Sequence, residues 1–202
     1  MDGYHFTKRI REALARAREE SARMHYEYVG TEQILLGIVG DADNVAVAVL
    51  KAQRIDVERV RAEVAREAKP SPDEHVGPDI PYSARSKRVL EFAMSEAREM
   101  GDGYVDTGHL LLALAREKRD LGAHVLTTLG FSRDDARQTL RELHAAGRED
   151  PGGVAPPSLA ALPPDAAANL IARIAGAERY AGVFKAHRID VDKLIADIRK
   201  AQ

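Results

Sequence analysis

Apolar residues recur at three- and four-residue spacing through most of the chain, and this period predicts amphipathic α-helices around a shared core. Side chains that can cap a helix stand directly before several of these runs, Thr7, Thr31 and Ser83 among them. The predicted helices cover residues 7–24, 31–39, 44–53 and 57–68, and four more begin at Ser83, Thr107, Leu121 and Ser132. The pattern therefore predicts an all-α fold.

The second group of helices repeats the first at an interval of 76 residues, without a gap. Residues 28–37, which open the second helix with Gly-Thr-Glu, return in altered form as residues 104–113. Most positions shared by the two copies are apolar and helix-spaced, so they are interpreted as core. Two four-helix repeats, residues 4–69 and 80–146, are therefore expected to pack in a pseudo-twofold arrangement as one domain over residues 1–146.

Two proline-rich segments separate the helical parts, because proline removes a backbone donor and blocks helix continuation. All nine prolines fall within residues 69–82 and 147–165, which are interpreted as linkers. The segment after the second linker is also patterned, since residues 183–191 match residues 49–57 at seven of nine positions. Residues 166–202 are therefore interpreted as a C-terminal helical half-repeat. Half a repeat cannot bury its apolar face alone, so docking on the same chain, on a second copy or on a partner is expected.

Composition excludes several classes of function. Thirty basic and 32 acidic residues leave a net charge of −2, which gives no general attraction to nucleic acid. The chain has no cysteine, so neither thiol catalysis nor a thiolate metal site can form. No apolar run approaches the roughly 18 residues of a membrane helix, so no membrane association and a cytoplasmic location are expected.

Three stretches of sequence carry a resemblance to a known family. They are residues 6–7 (Phe-Thr), 30–37 (Gly-Thr-Glu-Gln-Ile-Leu-Leu-Gly) and 80–87 (Ile-Pro-Tyr-Ser-Ala-Arg-Ser-Lys). Together they resemble the N-terminal domain of ClpC-type Hsp100 unfoldases, which is built from two four-helix Clp repeats. The resemblance covers about residues 4–146 and leaves residues 147–202 outside it. The chain contains no Gly-Lys dipeptide and hence no Gly-x-x-x-x-Gly-Lys-Ser/Thr phosphate loop, so it looks like a free-standing relative that cannot hydrolyse ATP by that mechanism.

The resemblance also implies a binding site. In ClpC-type domains the two Gly-Thr-Glu loops and nearby helix starts form pockets for phosphorylated arginine, and the first pocket here would use Glu32, Thr31 and the helix start at Thr7. A carboxylate can form a bidentate, charge-assisted pair with a guanidinium, and a helix N-terminus offers free N–H groups to a phosphate. The alternative is structural: Thr31 caps its helix, and Glu32 is a first-turn acid favoured by the helix dipole.

The second pocket departs from the family pattern, because Gly108 stands at the position of the glutamate. Asp106, beside Thr107, is the candidate replacement carboxylate, so the two sites are expected to be unequal and Gly108→Glu is a candidate change for restoring the second. The family's surface for cyclic-peptide ligands corresponds here to Tyr82, Ser83 and Lys87. For this surface the alternative is a solvated helix start.

No pattern of an enzyme, a cofactor site or a metal centre is found. The seven histidines form no His-Glu-x-x-His pair, and no Gly-x-Ser-x-Gly elbow occurs. The expected function is a non-catalytic binding module of the Clp proteolysis system, with no cofactor. It would bind Clp components, arginine-phosphorylated or otherwise tagged proteins, adaptors or cyclic peptides, as a decoy or regulator of the unfoldase. The alternatives are an adaptor acting through its C-terminal helices and a sensory helical protein that reuses the fold.

Overall fold

The fold was analysed in a computed structural model, which describes residues 5–68, 80–117, 120–148 and 150. These residues form the helices α1 Lys8–Arg23, α2 Thr31–Val39, α3 Val45–Ala52, α4 Val57–Glu67, α5 Ala84–Met100, α6 Thr107–Arg116, α7 Leu121–Thr128 and α8 Arg133–Ala145. Two short strands, β1 His5–Phe6 and β2 Tyr104–Val105, precede α1 and α6. The all-α prediction is confirmed, with helix boundaries close to those read from the apolar period.

The N-cap residues predicted from the sequence agree with the structure except at α2. Thr7 and Ser83 cap α1 and α5, and each accepts a hydrogen bond from a backbone N–H three residues on. The prediction that Thr31 is an N-cap is wrong, because Gly30 occupies that position in extended conformation and Thr31 is the first helical residue. The Gln33 side chain accepts a hydrogen bond from the Gly30 N–H at 2.9 Å, which completes the first turn and leaves the Thr31 hydroxyl for another helix.

The two repeats are joined by an exchange of helix starts. β1 pairs in parallel with β2, and the Thr7 N–H donates to the Val105 carbonyl at 2.9 Å. In the other half, the Val29 N–H donates to the Pro81 carbonyl at 2.8 Å, and the Ser83 N–H donates to the Val29 carbonyl at 3.1 Å. The start of each repeat's first helix therefore lies beside the loop of the other repeat.

The core is centred on α2 and α6. All nine residues of α2 are buried, as are the first eight of α6. α2 packs against α1, α4 and α7, while α6 packs against α5, α3 and α8, which is the expected pseudo-twofold relation. Individual hydrogen bonds follow the same pseudo-twofold relation. Thr31 Oγ1 accepts from Gly122 N at 3.1 Å, and Thr107 Oγ1 accepts from Ala46 N at 3.2 Å.

Part of the predicted organisation lies outside the described residues. The half-repeat over 166–202 is in that part, as are most of the first linker and the second linker except residues 147, 148 and 150. The domain boundaries and the docking of the half-repeat therefore stay predictions. In the part of the chain that the structure describes, none of the helices has the length and apolar character needed to cross a lipid bilayer.

Candidate functional site

The loop before α2 opens on a cavity of about 370 Å³, here named the Glu32 cavity. It is lined by Tyr26, Tyr28, Gly30, Glu32, Ser83, Ala84, Arg85 and Asp120. These residues come from the loop before α2, from the first turn of α2, and from the starts of α5 and α7. The volume lies at the lower end of the range of ligand pockets, so the cavity has room for one side chain or small molecule.

The carboxylate of Glu32 is the chemical centre of this cavity. Glu32 is only 9% exposed. Burial raises its pKa above the ordinary value, and the negative charge of Asp120 acts in the same direction. Hydrogen bonds from its own backbone N–H and from the side chains of Gln33 and Thr31 oppose this shift, and none of the groups that act most on the pKa is a cation. Among the described residues, the donors that act most on the pKa of Glu32 are therefore neutral groups.

The cavity is also lined by helix starts. Ser83 Oγ accepts from the Ser86 N–H at 3.1 Å, and Ala84 and Arg85 form the beginning of α5. The first backbone N–H groups of a helix have no intrahelical partner and favour anions. The Arg85 side chain is largely exposed, with Nη1 at 3.6 Å from Asp120 Oδ1. The cavity therefore combines an acceptor for a guanidinium with donors for an anion.

The structure brings together a different set of residues than the sequence suggested. Ser83 lies in the Glu32 cavity, whereas Thr7 is fully buried and bonded to Val105 in the second loop. The expectation that the Thr7 helix start serves the first pocket is therefore corrected. The cause is the exchange of helix starts between repeats, for which the sequence carries no local signal. Thr31 lies behind the cavity wall, where its hydroxyl links Gly122 to Glu32.

Tyr82 and Lys87, the two remaining residues of the predicted peptide surface, are not among the residues that line the Glu32 cavity. Tyr82 is half-buried, and the Arg18 guanidinium carbon lies 4.7 Å from the centre of its ring. The Tyr82 hydroxyl is buried and has no hydrogen-bond partner among the described residues. Lys87 is exposed in the first turn of α5.

The second loop does not reproduce the first. Its two helix starts are bridged by Asp150, whose carboxylate accepts from the Val45 N–H at 2.8 Å and from the Thr107 N–H at 2.9 Å. A Cβ atom on Gly108 would lie 2.4 Å from Leu140 Cδ1, so the space of a glutamate is already filled by core. This packing argues against the expectation that Gly108→Glu restores a second site.

Asp106 is also unlike its expected role, because its carboxylate is fully buried and faces two histidines. Oδ1 lies 2.8 Å from His109 Nδ1, which is also 3.2 Å from the Asp106 backbone N, and Oδ2 lies 2.7 Å from His144 Nε2. Asp102 Oδ2 lies 3.0 Å from His109 Nε2 and 3.1 Å from His144 Nδ1. The four side chains close a ring, here named the Asp–His ring.

The ring shifts the pKa of every member. Burial alone lowers the pKa values of His109 and His144, but hydrogen bonds and charge from Asp102 and Asp106 outweigh it and raise them to about 9 and about 10. Burial raises the pKa of Asp102, but the two histidines lower it to about 2, and the same balance lowers the pKa of Asp106. The sequence missed this cluster because His109 and His144 belong to separate helices and match no motif.

Two interlocked four-helix repeats with a ligand-sized cavity at one loop define a protein of the Clp N-domain class. The chain belongs to the Clp repeat (R) N-terminal domain family, which matches residues 5–129. It is 39% identical over 138 residues to the negative regulator of genetic competence ClpC/MecB of Bacillus subtilis (strain 168), covering 68% of this chain and 17% of that protein. It is also 39% identical over 132 residues to the chloroplastic chaperone protein ClpC1 of Arabidopsis thaliana, covering 65% and 14%.

Solved structures show the same fold. The N-domain of ClpV from Vibrio cholerae superposes with a TM-score of 0.60 at 18% identity, covering 71% of this chain and 86% of that one. The N-terminal domain of ClpD from Arabidopsis thaliana superposes with a TM-score of 0.54 at 21% identity, covering 70% and 95%. The chain thus matches nearly whole N-domains but spans less than a fifth of the length of the two curated relatives named above.

Proposed function

We propose that this chain is a non-catalytic binding module of the Clp proteolysis system, and that the Glu32 cavity recognises a guanidinium-bearing ligand. The phosphorylated arginine side chain of a tagged protein is the ligand whose two charges fit the Glu32 carboxylate and the helix start. One observation carries the proposal: a carboxylate that is nine-tenths buried, with a raised pKa and no cation among the described groups that act most on it, faces a cavity bordered by the start of α5.

The physical reason is the free energy of an unpaired buried charge. Burying a carboxylate without a counter-charge is unfavourable, and such groups concentrate at functional sites. A guanidinium would pair with Glu32 through charge-assisted hydrogen bonds, while its phosphate would face the free N–H groups at the start of α5. Tyr28, which is 54% exposed at the rim, offers an aromatic surface for the rest of the ligand.

The asymmetry of the repeats supports one such site per chain rather than two. In the second loop the position of Glu32 is Gly108, so the carboxylate that would pair with a guanidinium is absent there. Asp150 occupies the N–H groups of Val45 and Thr107, so an anion could reach the starts of α3 and α6 only by displacing a carboxylate of the chain itself. A similar fold binds a peptide elsewhere, since the N-domain of ClpV has been solved with a VipB peptide. The proposed module would act in the cytoplasm, as a decoy or a regulator of an unfoldase.

Replacing Glu32 with glutamine is expected to weaken binding of free phosphoarginine about 10- to 150-fold, the equivalent of the 1.5–3 kcal/mol of a hydrogen bond to a charged group. Titration calorimetry of the full chain measures this, and the wild type is expected to bind one ligand per chain. Glu27→Gln is the matched control, because Glu27 is an exposed residue of the same loop and its loss changes the net charge equally. Equal weakening by the two substitutions, or unchanged affinity of Glu32→Gln, would contradict the proposal.

The affinity should also depend on pH through Glu32. Because the pKa of Glu32 is raised, this carboxyl takes up a proton at a higher pH than an ordinary glutamate, and its protonated form cannot pair with a guanidinium. The ratio of wild-type to Glu32→Gln affinity is therefore expected to fall toward one as the pH is lowered through the raised pKa. Taking the ratio cancels the titration of the ligand itself. A ratio that stays constant under acid conditions would show that the charge of Glu32 plays no part.

The raised pKa of Glu32 also predicts how the free energy of unfolding changes with pH. A carboxyl whose pKa is higher in the folded than in the unfolded state holds its proton more tightly when folded. The ligand-free protein should therefore lose stability from this group as the pH rises through the raised pKa of Glu32. Glu32→Gln should remove that part of the pH dependence.

A further inference from the structure

We infer that Asp102, His109 and His144 form a binding site for one divalent transition-metal ion, with Zn²⁺ as the ion that best matches these ligands. Asp102 follows α5, His109 lies in the first turn of α6, and His144 lies in the last turn of α8. Their ligand atoms, one carboxylate oxygen and two imidazole nitrogens, all lie within 4.8 Å of one another. Two histidines and one carboxylate with an open fourth position are a common zinc ligand set.

The distances agree with coordination after a small adjustment. Asp102 Oδ2 lies 3.0 Å from His109 Nε2 and 3.1 Å from His144 Nδ1. Ligands at zinc bond lengths of about 2.0–2.1 Å in a tetrahedron are separated by roughly 3.4 Å. Opening these two gaps by a few tenths of an ångström, and bringing the two imidazole nitrogens, which lie within 4.8 Å of each other, to the same separation, would admit the ion. The Asp102 side chain is 22% exposed and that of His144 is 9% exposed, so the position can be reached from solvent.

Asp106 is placed like the carboxylates that commonly hydrogen-bond to the second ring nitrogen of metal-bound histidines. Its two carboxylate oxygens lie beside His109 Nδ1 and His144 Nε2, the ring nitrogens that face away from Asp102. A carboxylate in this position fixes the orientation of an imidazole and increases its strength as a ligand. With these nitrogens beside Asp106, the other nitrogen of each ring lies next to Asp102.

Carboxylates surround this position. Asp102 and Asp106 each contact both histidines. Asp150 adds a further buried carboxylate close enough to interact with Asp106, which makes the surroundings favourable for a cation.

The site is specific to the second repeat. The interval of 76 residues places Tyr26, Gln33 and Ala68 at the positions of Asp102, His109 and His144. None of these three side chains is a usual zinc ligand. The first repeat therefore has a cavity with a buried carboxylate, whereas the second has a cluster of metal-ligand side chains. The two halves of one pseudo-symmetric fold would thus bind ligands of different chemistry.

The test uses the full chain, treated with a chelator, dialysed and then titrated with ZnCl₂ by calorimetry and with Co²⁺ by visible absorption. One ion per chain and the absorption bands of four-coordinate Co²⁺ are expected. His144→Ala and Asp102→Asn should each weaken Zn²⁺ binding at least tenfold. Mutating a residue that only hydrogen-bonds to a metal ligand already costs about 10- to 100-fold in affinity, so loss of a ligand itself should cost no less. His124→Ala is the matched control, because His124 is an exposed histidine of α7 and should leave binding unchanged.

Imidazole NMR of the wild type keeps the test independent of any variant that folds poorly. Zn²⁺ is expected to shift the ring resonances of His109 and His144 and to leave those of His124 in place. A purely structural ring would bind no ion. Absence of Zn²⁺ uptake by the wild type, or equal uptake by the wild type and both folded ligand variants, would overturn the inference. Neither result bears on Glu32 and phosphoarginine, because the two sites are tested with different probes.

Discussion

Replacing Glu96 with glutamine is expected to lower the free energy of unfolding by about 3 kcal/mol. The side chain of Glu96, on α5, is fully buried. Its carboxylate lies 3.5 Å from Arg116 of α6 and 2.5 Å from Arg133 of α8, and it also pairs with Arg137 of α8. Removing the charge leaves three guanidinium groups around a neutral amide.

The expected magnitude follows from burial. Removing one partner of a fully buried ion pair destabilises a protein by about 3–5 kcal/mol. The arginines here are 22–38% exposed, so water would partly solvate them and the lower end of that range applies. Urea denaturation of both proteins measures the change.

Glu99→Gln is the matched control for Glu96, because Glu99 contacts the same Arg137 at 2.8 Å and Arg116 at 3.7 Å but is 44% exposed. An exposed pair of this kind contributes at most about 1 kcal/mol. Equal losses in the two variants would show that burial of Glu96 is not what makes its network important. A loss confined to Glu96→Gln would identify this carboxylate as the charge that joins α5, α6 and α8.

Replacing Gly37 with alanine is expected to destabilise the protein by about 3 kcal/mol or more, the upper end of the range for overpacking a core. A Cβ atom on Gly37 would lie 2.1 Å from the Ala13 carbonyl oxygen and 3.0 Å from the Ala17 backbone N. Both contacts are with the backbone of α1, so relief requires α1 and α2 to move apart. Because α2 carries Glu32, weaker ligand binding is expected together with the lower denaturation midpoint.

The sign of this effect is informative. In a helix interior without a close neighbour, glycine to alanine stabilises by about 1 kcal/mol, because alanine has the higher helix propensity. Gly103→Ala is the control, since a Cβ atom there meets nothing within 4 Å and a change within about 0.5 kcal/mol is expected. A Gly37→Ala protein that is more stable than wild type would mean that α1 and α2 do not approach as closely as the structure shows.

Comparison of the two sequence repeats alone would predict that alanine is tolerated at position 37. Gly37 corresponds to Ala113 in the second copy, so a comparison of the copies suggests that alanine is tolerated at both. Ala13, the α1 residue that approaches Gly37, corresponds to Val89 of α5 in the second copy. The two copies therefore differ in both residues of this helix–helix contact. Whether one methyl group fits depends on helix separation, which is a property of the packed pair and not of either sequence copy.

The eight helices, most of their caps and the pseudo-twofold relation between the two halves were determined by the sequence alone. The physical reason is that apolar period, capping side chains such as Thr7 and Ser83, and proline act within a few residues. The internal repeat then extended this local information to the whole domain. Glu32 was also predicted as a site residue at this level, through the resemblance of its loop motif to a known family, and this role stays a prediction.

Tertiary structure decided which groups share a site. The pairing of β1 with β2 and of Val29 with Pro81 and Ser83 exchanged the helix starts, so that Ser83 rather than Thr7 came to lie with Glu32. The Asp–His ring was likewise closed by His144 from α8, far along the chain from Asp106. Such contacts join residues tens of positions apart, and their geometry depends on how whole helices pack, so no local pattern in the sequence records them.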